Sequence, residues 1–211
     1  GMSASTTVVS SSMFATPRIA TLRLLEPGAG VGSLAAAFVE RICERPGKAR
    51  RLSIVAYEID PALCVELGHT LDDCVASAAT KDLVVDYQIR QQDFIYDSAA
   101  SLREDLFSKQ EWFTHVITNP PYKKVSSSSE HRALLRTAGI EATNLYSGFV
   151  ALALRQLEPS GEMVAITPRS FCNGPYYRPF RQMLLSVGDS RHIHSFESRA
   201  ATFKNDEVLQ E

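Results

Sequence analysis

The sequence predicts an α/β fold: a mostly parallel central sheet with helices on both faces. Short apolar segments alternate with amphipathic ones along the whole chain, the pattern of repeated βαβ units. The apolar segments show no polar alternation, as strands covered on both faces require. The residues with unusual chemistry fall just after these segments, at the carboxyl edge where open α/β sheets bind ligands.

The elements follow in order. Residues 1–13 are small and polar and are expected to form a flexible terminus, with Gly1 ahead of Met2 reading as a remnant of tag removal. Residues 14–211 are expected to form one domain. Leu22–Leu25 is a first strand, stopped by Glu26-Pro27-Gly28. Ser33–Arg45 carries Leu34, Phe38 and Ile42 four residues apart, a helical stripe. Ser53–Tyr57 is a second strand, and Pro61 opens the next helix. Leu83–Ile89 and His115–Thr118 are the third and fourth strands. Leu145–Leu157 is an apolar helix closed by Pro159-Ser160-Gly161. Met163–Thr167 is a fifth strand, Tyr176–Val187 a helix and Arg191–Phe196 a sixth strand. Ser126–Ser129 reads as a flexible loop. The closing residues 207–211 read as the start of a further strand, so the domain is expected to be cut short, with no target-recognition domain.

Composition narrows the function. The chain has 211 residues, 45% hydrophobic and 22% charged, with a net charge of −2; it is neither a disordered tail nor a polycation. Its four cysteines form no Cys-x-x-Cys pair, which argues for reduced thiols and against a zinc site. No apolar run is long enough to span a membrane and no signal peptide is evident, so a cytoplasmic location is expected. From Lys123 to Arg181 eight cations face four carboxylates, a local excess suited to a phosphate-bearing partner.

Four clusters carry chemistry. In the first, Glu26-Pro27-Gly28-Ala29-Gly30-Val31-Gly32, a glycine-rich turn after a strand lets backbone approach a ligand. The acid before it disfavours a pyrophosphate and suits a cationic ligand, such as the amino group and sulfonium of S-adenosylmethionine. In the second, Glu58 ends the second strand and can accept both hydroxyls of a ribose, with Ile59 against the adenine face; Asp60 before Pro61 is the helix cap. In the third, Asp93 can accept from the cofactor's adenine amine while Phe94 walls the ring. The fourth, Asn119-Pro120-Pro121-Tyr122, is the most specific. Two prolines stiffen the backbone and remove two amide donors. The Asn119 oxygen and the Pro120 carbonyl then form a rigid acceptor pair for a planar exocyclic amine, and Tyr122 offers a face for the ring that carries it.

Together these residues resemble the amino-methyltransferases that use S-adenosylmethionine, and among them the TaqI-like gamma-class N6-adenine DNA methyltransferases of restriction-modification systems. Phe14-Ala15-Thr16-Pro17 is similar to that family's N-terminal element, which places Thr16 and Pro17 at the cofactor; few residues separate it from Leu22, so a shortened lid is expected. Phe203 resembles the aromatic that stacks on the flipped adenine. The resemblance implies a Rossmann-like methyltransferase fold and methylation of a flipped adenine in double-stranded DNA. It also implies phosphate contacts from Lys123 and Lys124. The competing readings are a methyltransferase acting on a protein glutamine amide or on RNA, and a catalytically silent DNA-binding fragment. His192 and His194 lie two apart but lack partner ligands, and they read as solvated or hydrogen-bonded.

Overall fold

The computed structural model describes residues 6–7, 21–44, 50–102, 111–126, 128–189 and 192–193. Its strands are β1 (Thr6–Thr7), β2 (Thr21–Pro27), β3 (Arg51–Tyr57), β4 (Val84–Arg90), β5 (Phe113–Thr118), β6 (Leu157–Ala165) and β7 (Thr167–Pro168). Its α-helices are α1 (Ser33–Glu44), α2 (Pro61–Ala79), α3 (Phe94–Ser101), α4 (Glu130–Thr137), α5 (Leu145–Leu154) and α6 (Arg178–Val187), with a 3-10 turn at Arg169–Cys172. Five strands form a parallel sheet in the order β4-β3-β2-β5-β6.

Alternate side chains of one strand enter two cores. Leu22 and Leu24 pack with Phe38 and Ile42 of α1 and Leu67 and Leu71 of α2. Leu25 packs with Phe94 and Ile95 of α3, Leu135 of α4 and Phe149 of α5. Helices therefore cover both faces, as the uninterrupted apolar strands require. Burying one such leucine contributes about 1.5–3 kcal/mol.

The order reverses between β2 and β5, so the switch point lies where the glycine turn and the Asn-Pro-Pro-Tyr segment leave adjacent strands. Side chains stitch this junction. Thr118 Oγ1 donates to the Pro27 carbonyl at 2.7 Å, and the Arg23 amide donates to Thr114 Oγ1 at 2.9 Å.

Several elements differ from the sequence reading. β6 starts at Leu157, not Met163. Pro159–Gly161 is absorbed as an irregularity in the strand: the pairing jumps from Phe113↔Leu157 to His115↔Glu162. Ser160 takes a φ of 68°, and a Cβ on Gly161 would lie 2.7 Å from Leu157 Cγ. α3 and α4 are additional helices. Trp112, beside the fully buried Phe113, is 41% exposed. Within the terminus expected to be loose, Thr6 and Thr7 pair antiparallel with Pro168 and Thr167. His192 and Ile193 lie in no strand; the rest of the expected sixth strand (191 and 194–196) is outside the described residues. No helix among the described residues is long and apolar enough to cross a membrane.

Candidate active site

The glycine turn is built by backbone constraint. Gly28, Gly30 and Gly32 all have positive φ, at 70°, 56° and 85°. At Gly32 a Cβ would sit 2.7 Å from Leu67 Cδ1, so this position has neither the conformation nor the space for a side chain. The Ala29 amide donates to the Tyr57 carbonyl at 2.8 Å, binding the turn to the end of β3.

Glu58 completes that bond across the cleft. Its Oε2 accepts from the Gly30 amide at 2.8 Å, and its Oε1 accepts from the Ile59 and Asp60 amides at 2.8 and 2.9 Å. A carboxylate has about four acceptor positions, so one remains on Oε2. The sequence reading gives Glu58 two ribose hydroxyls; the structure leaves room for a single donor, because the carboxylate already holds the turn. Ile59 is 65% exposed beside it, and Asp60 caps α2 by accepting from the Ala62 amide at 2.7 Å.

Tyr57, just before Glu58, is anchored from below. Its hydroxyl donates to Asp97 Oδ2 at 2.5 Å and accepts from Arg90 Nη1 at 2.6 Å. Arg90 Nη2 donates to Glu111 Oε2, also at 2.6 Å. Burial, then the Asp97 carboxylate, holds the phenol well above its ordinary pKa.

Glu26 stands apart from these satisfied groups. It is 1% exposed, and neither carboxylate oxygen has a hydrogen-bond partner among the described residues. Burial pushes its pKa from the ordinary 4.5 up to about 8, offset only in part by the nearby Ala35 amide. A buried carboxyl with no donor is costly unless something else meets it. It is the group in this cleft best suited to a cation.

Asp93 has further partners, and Phe94 requires a correction. Asp93 caps α3, Oδ1 accepting from the Ile95 and Tyr96 amides at 2.8 and 3.3 Å. Its Oδ2 meets His131 Nε2 at 2.8 Å. Phe94 does not wall a pocket. It is 2% exposed, with its ring in the core 5.0 Å from Tyr57 and 5.2 Å from Phe149.

The Asn-Pro-Pro-Tyr segment meets the glycine turn directly. A Cβ on Gly28 would lie 3.6 Å from Phe149 Cε1 and 3.9 Å from Pro121 Cδ. Asn119 is exposed and Pro120 buried. The Tyr122 hydroxyl donates to Asn119 Oδ1 at 2.8 Å and reaches the Ile166 carbonyl at 3.4 Å. Tyr122 therefore does more than offer a ring: it fixes which end of the Asn119 amide is the acceptor. Its ring stands edge-on to Tyr146, with centroids 6.2 Å apart. Lys123 and Lys124 follow, exposed, in a segment held by the Leu145 amide donating to the Lys123 carbonyl at 2.9 Å.

His131 gave no sequence signal, and Arg181, counted among the cations of the second half, spends its guanidinium on backbone carbonyls. Arg181 Nη1 donates to the Phe171 carbonyl at 2.8 Å and Nη2 to the Gly174 carbonyl at 2.7 Å, shaping the loop that ends in the exposed Tyr176. Thr16, Pro17 and Phe203 lie outside the described residues.

A family model described as Eco57I restriction-modification methylase matches residues 64–203. The type II methyltransferase M.BsuBI of Bacillus subtilis is 48% identical over 204 residues, covering 94% of this chain and 39% of that protein. The type II methyltransferase M.PstI of Providencia stuartii is 45% identical over 188 residues, covering 89% and 36%. The chain thus spans less than two-fifths of the length of these relatives. Among solved structures, a Listeria monocytogenes protein described as a class I S-adenosylmethionine-dependent methyltransferase superposes with a TM-score of 0.54 at 11% identity. That match covers 84% of this chain and 52% of the other, and it assigns the fold: a Rossmann-like methyltransferase sheet.

Proposed function

This chain belongs to the Eco57I restriction-modification methylase family, and we propose that it carries the catalytic site of a DNA methyltransferase that transfers a methyl group from S-adenosylmethionine to the N6 amine of adenine. The observation that carries this reading is the junction of β2 and β5. There the glycine turn approaches Pro121, Glu26 lies buried without a hydrogen-bond partner among the described residues just before that turn, and Tyr122 holds the Asn119 acceptor, an arrangement that supports one shared site.

The residues present fit the cofactor. The remaining acceptor position of Glu58 takes one ribose hydroxyl, and Ile59 offers an exposed apolar face to the purine. Glu26 supplies buried negative charge for the positive amino-sulfonium end. When bound, the cofactor supplies a methyl group already activated by the sulfonium, so the chain's task is positioning.

Asn119 Oδ1 and the Pro120 carbonyl accept the two hydrogens of the target amine, which turns the nitrogen lone pair out of the ring plane. The Tyr122 hydroxyl keeps Asn119 in the accepting orientation throughout. The target adenine leaves the duplex to reach these groups, and stacking on Tyr122, worth about 1–3 kcal/mol, offsets much of the cost of unstacking. Lys123 and Lys124 lie exposed beside the pocket mouth, suited to the phosphate backbone of double-stranded DNA.

The test is a calorimetric titration of S-adenosylmethionine into the 211-residue chain, repeated with Asn119→Ala. The expected result is saturable binding that Asn119→Ala leaves within about threefold, while the same substitution abolishes adenine methylation. Absence of binding to the wild-type chain would refute the cofactor assignment. Methylation of cytosine instead of adenine would refute the choice of base.

A further inference from the structure

Asp93 holds more interactions than a helix cap needs. Capping of α3 uses Oδ1 alone, which accepts both free amides. The second oxygen is held by His131, 38 residues away on α4. A carboxylate oxygen only accepts, so His131 Nε2 carries the hydrogen and donates it. The imidazole is itself pinned, edge-on to the Tyr96 ring at 5.2 Å. α4 packs on α3, so the donor approaches from a rigid element.

The acceptor arithmetic is informative. Of about four acceptor positions on the carboxylate, Oδ1 uses two and Oδ2 one. One position is left, on a side chain that is 24% exposed, with 29% for His131. It lies at the carboxyl edge of the sheet next to Phe94, which the Phe149 ring links to Gly28 of the turn. An oxygen with one open lone pair and a fixed orientation selects a donor. An exocyclic amine satisfies it, whereas a carbonyl at the same place meets lone pair with lone pair.

We propose that His131 is a positioning residue that orients the Asp93 carboxylate so that its single remaining acceptor site reads the 6-amino group of the cofactor's purine. The proposal rests on the S-adenosylmethionine reading above and adds to it the residue that sets purine selectivity. His131 touches no reacting atom; it acts through Asp93.

The experiment compares S-adenosylhomocysteine with S-inosylhomocysteine, in which a 6-oxo group replaces the amine, by calorimetry on the 211-residue chain. Wild type is expected to prefer the 6-amino ligand by at least about tenfold, the scale of one hydrogen bond to a charged acceptor. His131→Phe keeps a ring against Tyr96 but removes the donor, and is expected to lower that preference severalfold with Tm unchanged. His131→Gln restores a donor and is expected to recover most of it. A merely structural histidine would move Tm, or both affinities alike, and leave the ratio untouched.

An unchanged ratio in a folded His131→Phe, with wild type still binding the 6-amino ligand, overturns the role of His131 and leaves the cofactor reading standing. Wild type that binds neither ligand overturns both. If His131→Phe does not fold, His131→Gln decides alone: a folded Gln variant that loses the preference overturns the donor argument.

Discussion

Glu26→Gln is the sharpest probe of the cleft, because the wild-type carboxyl is in an unfavourable setting whose size can be worked out. In the folded chain it titrates near 8, against 4.5 ordinarily. Its folded pKa is raised, so its contribution to stability is complete below pH 4.5 and is lost as pH rises through 8. Between pH 5 and 7.5 the loss amounts to about 3 kcal/mol, at 1.36 kcal/mol per pH unit. Glutamine has the same shape and no titration. Urea unfolding of both proteins across that range should therefore give a stability difference that shifts by about 3 kcal/mol in favour of the variant as pH rises. A constant offset between them is expected from the amide's own hydrogen-bonding needs and carries no weight. A cationic ligand would reverse the penalty by drawing Glu26 into its ionised form. At pH 7 its binding should release protons in wild type, visible as heats that depend on the buffer's ionisation enthalpy, and release fewer in Glu26→Gln. A stability difference that stays flat with pH would refute the reasoning, since an uncompensated buried carboxyl cannot ionise without cost.

Three further outcomes are expected. Gly32→Ala forces a side chain into φ 85° and to 2.7 Å from Leu67 Cδ1, so unfolding should come about 1–3 kcal/mol sooner in a denaturant titration, with cofactor affinity falling as well. His115, 6% exposed, is held neutral by burial, its pKa lowered from 6.5 to about 4 with Glu162 opposing. That depressed value makes its contribution complete above pH 6.5 and lost as pH falls to 4, so His115→Gln should remove about 3 kcal/mol of acid sensitivity from stability measured between pH 7 and 4. Tyr122→Phe keeps the ring but releases the Asn119 amide; methylation should slow about three- to tenfold, with cofactor affinity unchanged, and an unaltered rate would count against the orienting role.

The sheet was legible because its central strands carry short apolar runs that end in turn residues. Leu22–Leu25 and His115–Thr118 need no tertiary context to be recognised. The glycine turn and the Asn-Pro-Pro-Tyr segment were legible because each combines backbone constraint with a functional side chain. α3 and α4 were missed because each has only eight residues, and α4 is polar as well, so tertiary packing and the Asp93 and Ser129 caps stabilise them more than their own propensity does. The start of β6 was missed because Pro159-Ser160-Gly161 is ordinary turn chemistry, here absorbed inside a strand. Phe94 sits one residue past a site residue, and sequence adjacency does not reveal that its ring turns into the core. His131 gave no signal because its partner lies 38 residues upstream.

The stitch between β2 and β5 also has a meaning in time. Its bonds, Thr118 to Pro27 and Arg23 to Thr114, each join residues 91 positions apart. As the chain emerges from the ribosome, β2 can pair with β3 early but keeps one edge open until β5 arrives. That edge carries Leu22, Leu24 and Leu25, an aggregation hazard while it waits. Closing so long a loop carries an entropic cost that only the finished sheet recovers. The glycine turn on β2 and the Asn-Pro-Pro-Tyr segment after β5 are brought together only in that late step. A nascent chain therefore passes through a stage in which the glycine turn is already tied to Tyr57 and Glu58 at the end of β3 while the Asn-Pro-Pro-Tyr segment has yet to join it.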